Sequence, residues 1–314
     1  MVLTDYFRST PDLTWEYGRQ LGVKYGTIRL PEDAEFDICS TTHWKTVMDR
    51  FLSFGIKPII VEPMPNCVHD HIKAGDAQRD ESIEKVIKML SVMDKLDVRM
   101  ICFNFMAYIG WLRTSSTIAE RGGALVTGFD IDDFKAGDAH ISADELWHNY
   151  EYFIRAVVPE AEKYGIKFAL HPDDPPIAQL GGVERIMVSA DNIEKAVTGF
   201  MRSDSLGYTL CQATYYMMGE DLYKVIPRFA DKIMFVHFRN AAGNKFHFRE
   251  TFHDNGELDM PGLIRCYKKC GVNVPIRVDH VPVMAEENSV NAGYDTLGRL
   301  FAIGYLKGIL ESIR

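Results

Sequence analysis

Long apolar runs are missing from this chain of 314 residues. No stretch approaches the roughly 18 apolar residues of a membrane span. The N-terminal MVLTDYFRSTPDLTWEYGRQ has no basic segment leading into an apolar one, so no secretory leader is expected. A basic excess is missing too. The net charge is -9, which disfavours the electrostatic footprint of a nucleic-acid binder. No Gly-rich loop of the P-loop or dinucleotide type occurs, and no Pro/Ser-rich linker divides the chain. The six cysteines (Cys39, Cys67, Cys102, Cys211, Cys266 and Cys270) form neither a disulfide framework nor a paired CxxC motif. Reduced thiols and a cytoplasmic location are therefore expected. Cys266 and Cys270 read as packed thiols on one helix face.

What is present is material for a large core, since 46% of residues are hydrophobic. Strand and helix patterns alternate along the chain. Strands are expected at residues 22–28, 57–62, 98–104, 167–171, 208–211, 233–237, 245–252 and 275–279. Helices are expected at 41–54, 79–96, 143–164, 192–201, 221–229, 260–270 and 294–313. A polar, Gly-containing insertion is expected at about 114–143. Repeated strand-helix alternation implies parallel strands, and eight units in this length fit one closed (β/α)8 TIM barrel as a single domain.

Four of these strands end in a residue able to bind a metal: KFALH in His171, YTLC in Cys211, IMFVH in His237 and PIRVD in Asp279. In a parallel barrel the carboxyl ends of the strands converge on one face. The spacing therefore predicts one divalent ion at the barrel mouth. Four separate strand ends suit a site facing a cavity better than a structural zinc. Oxygen ligands from a sugar acid would complete an octahedron around Mn2+, while thiolate and imidazole also suit Fe2+, Co2+ or Zn2+. The loop His171-Pro172-Asp173-Asp174-Pro175-Pro176 is stiffened by three prolines and can hold two carboxylates nearby. His280, beside Asp279, is a candidate acid or base. Arg239, Asn240, Arg113 and His253 are candidates for binding a carboxylate or hydroxyls, and Arg239 offers a bidentate fork. Trp111 lines a pocket or packs a loop.

Several motifs carry a family likeness. HPDDPP at His171, CQAT at Cys211, FVHFRN from Phe235, VDH at Asp279, NFM at Asn104, W-x-R-T from Trp111 and FRETFHDNGELDM from Phe248 resemble mannonate dehydratase, in the same order, from about Glu62 to the C-terminus. The resemblance implies a (β/α)8 fold, a divalent metal, commonly manganese, and conversion of D-mannonate to 2-keto-3-deoxy-D-gluconate. It implies His171, Cys211, His237 and Asp279 as metal ligands and His280 as a catalytic histidine. Tyr294, in NAGYDTLGR, matches its catalytic tyrosine, and a dimer or larger assembly is expected. The chain departs from the family pattern: Gly110 stands where it carries Asp, Arg249 where it carries His, and Phe252 where it carries Asp, while RPDHG becomes Arg277-Val278-Asp279-His280-Val281 and the CTGS-like stretch becomes Cys211-Gln212-Ala213-Thr214. These departures point to a changed substrate shell. A metal-dependent sugar isomerase or epimerase, and a noncatalytic sugar-acid-binding protein, are the competing readings.

Overall fold

The computed structural model describes residues 1–288 and 292–313. Eight parallel strands close a barrel in chain order. They are β1 (Val2–Phe7), β2 (Tyr25–Ile28), β3 (Lys57–Val61), β4 (Met100–Phe103), β5 (Lys167–Leu170), β6 (Leu206–Cys211), β7 (Ile233–Phe238) and β8 (Pro275–Val278). The ring closes between its ends, with Val2 opposite Pro275 and Thr4 opposite Arg277. Among the described residues, no helix is long and apolar enough to cross a membrane.

The expected (β/α)8 barrel is present, but its strands differ from the expected set at two places. The first strand is Val2–Phe7, not 22–28, which is the second. Its pattern hides it because Thr4 and Asp5 are buried in place of apolar residues. Thr4 Oγ1 donates to the Ile276 carbonyl at 3.3 Å, and Asp5 lies 3.7 Å from Arg299. The segment 245–252 does not join the barrel. His247–Glu250 pairs antiparallel with Ala241–Asn244 on one side and Leu125–Asp130 on the other, and Ser115–Ala119 completes a four-stranded sheet. The expected insertion and the displaced strand are thus two halves of one cap. Both halves leave from carboxyl ends, of β4 and β7, which puts the cap at the barrel mouth.

The long helix Ala143–Tyr164 follows the sequence signals. Ser142 and Glu145 form a reciprocal capping box at its start, and Gly165 ends it at φ +62°, in the left-handed region that glycine tolerates. The helix expected at 192–201 runs instead as Ala190–Glu194 continued by a π-helical turn, Lys195–Gly199. Helices at Leu13–Gln20, Asn66–Ala74 and Gln212–Met217 were not anticipated.

Inside the barrel, Ile60, Cys102, Ala169 and Phe235 form an apolar layer. Side chains along a strand alternate, so the next inward position is two residues on. Two residues on from that layer stand Glu62, Asn104, His171 and His237. By the same step Cys211 stands above Thr209, Asp279 above Arg277 and Tyr6 above Thr4. A polar layer therefore rests on a packed floor.

Candidate active site

The strand-end residues converge. Donor atoms of His171, Cys211 and His237 lie within 4.8 Å of one another. Asp279 Oδ2 is 3.6 Å from His237 Nδ1. Both ring nitrogens of His237 are buried and make no hydrogen bond, although Nε2 lies 3.0 Å from Glu62 Oε1. A buried imidazole left without hydrogen bonds is costly in a finished core, but it suits a ligand to a cation. The Cys211 sulfur accepts a hydrogen bond from Thr214 Oγ1 at 3.1 Å. Two imidazoles, a sulfur and a carboxylate make a donor set that fits a divalent ion. A cavity of about 790 Å3 opens above them, and His280 and Tyr294 stand in its wall with His171, His237 and Asp279.

A sequence profile described as D-mannonate dehydratase (UxuA) matches residues 6–140 and 132–314. The mannonate dehydratase of Streptococcus uberis is 30% identical, with 82% of this chain and 82% of that protein covered. The chain belongs to the mannonate dehydratase family. A mannonate dehydratase of Brachyspira hyodysenteriae is 28% identical over 100% of this chain and 98% of its own length. The crystal structure of a mannonate dehydratase from Streptococcus suis superposes with a TM-score of 0.91 at 24% identity, covering 100% of this chain and 95% of that one. A D-psicose 3-epimerase from Clostridium cellulolyticum shares the fold alone, with a TM-score of 0.66 at 13% identity and 100% of each chain covered.

The other expected site residues of this family member divide into two groups. Asn104, Trp111, Arg239, His280 and Tyr294 line the cavity. Tyr294 donates to Asp279 Oδ1 at 3.4 Å, and its ring packs 5.2 Å from that of His280. Burial, then the charge of Asp279, pushes its phenol well above the usual tyrosine range. Asn291, which opens the NAGYDTLGR segment, lies outside the described residues.

Arg113, Asn240 and His253 stand outside the cavity lining. Arg113 is buried behind the wall as the hub of an ion-pair network. Asn240 pins the turn below the cap: its amide nitrogen donates to the His253 and Leu258 carbonyls, and its oxygen accepts from the Leu258 amide. His253 is stacked on Phe238 at 5.5 Å, with Nε2 2.8 Å from the Phe238 carbonyl. Burial lowers it to about 4.

The departures from the family pattern also divide. Gly110 lines the cavity, and a Cβ placed there meets nothing within 4 Å. Arg249 points outward, 46% exposed, because strand alternation turns Phe248 and Glu250 inward. Phe252 sits edge-on against Phe301 at 5.4 Å, beneath the Arg121 guanidinium. Only the first of the three touches the cavity.

Sequence reasoning missed the charges that frame the site. Arg277 holds Glu62 with two bonds of 2.8 and 2.9 Å and donates to Asp279 at 2.8 Å. Burial alone would raise Glu62, but Arg277 and His237 hold its carboxyl well below the usual range. Glu62 closes KPIIVE just as the ligands close their own strands, so the same strand-end rule would have found it.

Nearer the cap, Arg113 grips Asp174 through bonds of 2.7 and 2.9 Å and reaches Glu250 through Nε at 3.0 Å and through Nη2. Arg239 donates to Asp174 at 2.8 Å and to Thr214 at 3.0 Å. Burial opposes ionisation of Glu250, yet His280, Arg113 and Arg239 bring it to about 2. Of the two loop carboxylates, Asp174 joins this network, whereas Asp173 turns away to accept from the Met187 amide at 3.0 Å.

Proposed function

We propose that this chain removes water from a sugar acid, converting D-mannonate to 2-keto-3-deoxy-D-gluconate, with a divalent ion held by His171, Cys211, His237 and Asp279. The observation that carries this reading is the convergence of three donor atoms within 4.8 Å beside a buried His237 whose ring makes no hydrogen bond. Manganese is the ion we propose, from the family resemblance, and Fe2+, Co2+ and Zn2+ are the others that suit this donor set. Such an ion, when bound, stabilises charge that develops on the substrate carboxylate as the C2 proton leaves.

The protein's own groups supply the rest. Arg239 lines the cavity and its Nε is buried without a partner, which suits it to the substrate carboxylate. Asn104 and Trp111 contribute polar and apolar wall. His280 takes the C2 proton; the electrons of that C–H bond form the C2–C3 double bond; the C3–O bond breaks, and Tyr294 gives its hydroxyl proton to the departing oxygen, which leaves as water. The enol then takes a proton at C3 to become the 2-keto acid. Barrel and cap act as one unit here, since Glu250 of the cap reaches His280 in the cavity wall. All six cysteines are free, and free thiols with a thiol ligand such as Cys211 support our reading of a reducing compartment, the cytoplasm.

An isomerase with a second open carboxylate at the rim would use Glu62, but both its oxygens are taken by Arg277. The deciding experiment incubates purified protein with Mn2+ and a panel of aldonates that includes D-mannonate. Release of a 2-keto-3-deoxy acid supports dehydration. Exchange of the C2 proton with no loss of water supports isomerisation instead. Metal-loaded protein that binds sugar acids and turns over none ends the enzymatic reading.

A further inference from the structure

We propose that Glu250 is a positioning residue that fixes which nitrogen of His280 carries the proton. It rests on the reading of His280 as the group that accepts the C2 proton, and it adds a residue outside the cavity wall to that step. A base must offer a lone pair, and a neutral imidazole has only one. Which nitrogen offers it is set by the partner of the other.

Two groups compete for His280 Nδ1. Glu250 Oε1 lies 2.7 Å from it, and so does Arg239 Nη1. The carboxylate can only accept and the guanidinium can only donate, so the two neighbours demand opposite tautomers. Glu250 carries a full negative charge in a buried setting, 3% exposed, and Arg113 clamps that same oxygen from behind through Nε at 3.0 Å. Arg239 Nη1 carries two hydrogens; Asp174 accepts one at 2.8 Å, and Glu250 Oε1 lies 3.5 Å away for the other. The balance puts the proton on Nδ1, directed at Glu250, and leaves Nε2 as the lone-pair nitrogen, 3.6 Å from Asp279.

The ring is held on its other sides as well. Trp111 lies 5.0 Å away by ring centroids and Tyr294 5.2 Å. The His280 backbone sits at φ +33°, a conformation few non-glycine residues adopt and one that surrounding structure must enforce. The Val281 amide, bonded to the Gly293 carbonyl at 2.9 Å, secures the next residue. With its backbone and faces fixed, the remaining freedom of the ring is the position of one proton.

The test removes the acceptor. Glu250→Met keeps the length of the side chain and leaves Arg113 its pair with Asp174. Nitrogen-15 NMR of histidine-labelled full-length protein, with the His280 signal assigned by its loss in His280→Gln, reads the tautomer without any turnover. The unaltered protein is expected to show a protonated Nδ1. In Glu250→Met the donor Arg239 is the remaining neighbour, and the tautomer is expected to invert. On the substrate identified by the aldonate panel, kcat should fall about 100-fold with KM nearly unchanged and metal content the same. Glu250→Gln restores an acceptor without the charge, and should recover the Nδ1 proton and part of kcat.

An unchanged tautomer in Glu250→Met overturns the proposal, as does a loss of kcat matched by loss of metal. If Glu250→Met does not fold, Glu250→Asp withdraws the carboxylate from the ring while keeping its charge beside Arg113, and loss of the Nδ1 signature is again required. If no sugar acid is turned over, the reading of the reaction fails while the tautomer result still decides the role of Glu250.

Discussion

The barrel rim and the cap behind its cavity wall are ordered by different physics. At the rim, the functional side chains sit at the ends of strands held by parallel neighbours, two residues above the next inward layer, so backbone pairing sets their position. At the cap, position is set by charge. Arg113, Asp174 and Glu250 are 4%, 1% and 3% exposed, and they hold one another beside a small apolar cluster that includes Phe129, Ala241 and Phe248. A buried ion pair contributes little net stability over apolar packing, but removing one partner costs about 3–5 kcal/mol because the other is left buried and unpaired. The rim is robust through packing; the cap is well ordered yet brittle.

The largest effects test whether donors and reacting groups are distinct within the rim. His237→Ala is expected to abolish bound metal and turnover together, by about 1000-fold or more in activity, read by elemental analysis beside the dehydratase assay. His280→Ala should cost about 100- to 10,000-fold in turnover with bound metal near the unaltered level. Equal metal loss in both would erase the distinction. Next comes the cap. Arg113→Met strands Asp174 and Glu250 and should lower unfolding free energy by about 3–5 kcal/mol in urea titration, while the rim keeps its metal affinity. A matching drop in affinity would mean that rim and cap do not differ as described.

A smaller effect depends on pH. Burial holds His253 at about 4 in the fold, against about 6.5 in an unfolded chain. The unfolded state therefore binds the proton first, and stability that is fully present above about 6.5 drains away as pH falls toward 4. The loss between pH 7 and 5 from this group is about 2 kcal/mol, and His253→Phe should remove that share of the slope in urea melts at the two pH values. A slope equal to that of the unaltered protein would show that His253 is not the group responsible. Smallest of all, Arg249→Ala changes an outward side chain and should leave stability within about 0.5 kcal/mol and kcat/KM as before. A tenfold change in kcat/KM would return Arg249 to the substrate shell that its departure from the family pattern suggested.

The same contrast explains what the sequence made legible. Rim residues follow an apolar run and obey a period of two, so His171, Cys211, His237 and Asp279 could be picked out with no knowledge of their partners. β1 escaped because Thr4 and Asp5 are polar residues in buried positions, and the groups they face, the Ile276 carbonyl and Arg299, lie at the far end of the chain. The cap network has no local pattern at all: Arg113 and Glu250 meet across 137 residues. Motif position alone marked Arg113, Asn240 and His253 without showing that they stand outside the cavity lining, because a strand or turn shows only half its side chains to any one face. Arg249 and Phe252 misled for the same reason.

The closure of β1 against β8 bears on how the holoprotein is made. The intended ligands emerge from the ribosome in the order 171, 211, 237 and 279, and the last belongs to the strand that shuts the ring against residues synthesised first. A chain grown only as far as residue 270 can offer two imidazoles and a sulfur but neither the fourth donor nor a closed wall. The full set of four donors therefore exists only once β8 has joined the ring, and an ion that needs all four would be chosen after that strand docks.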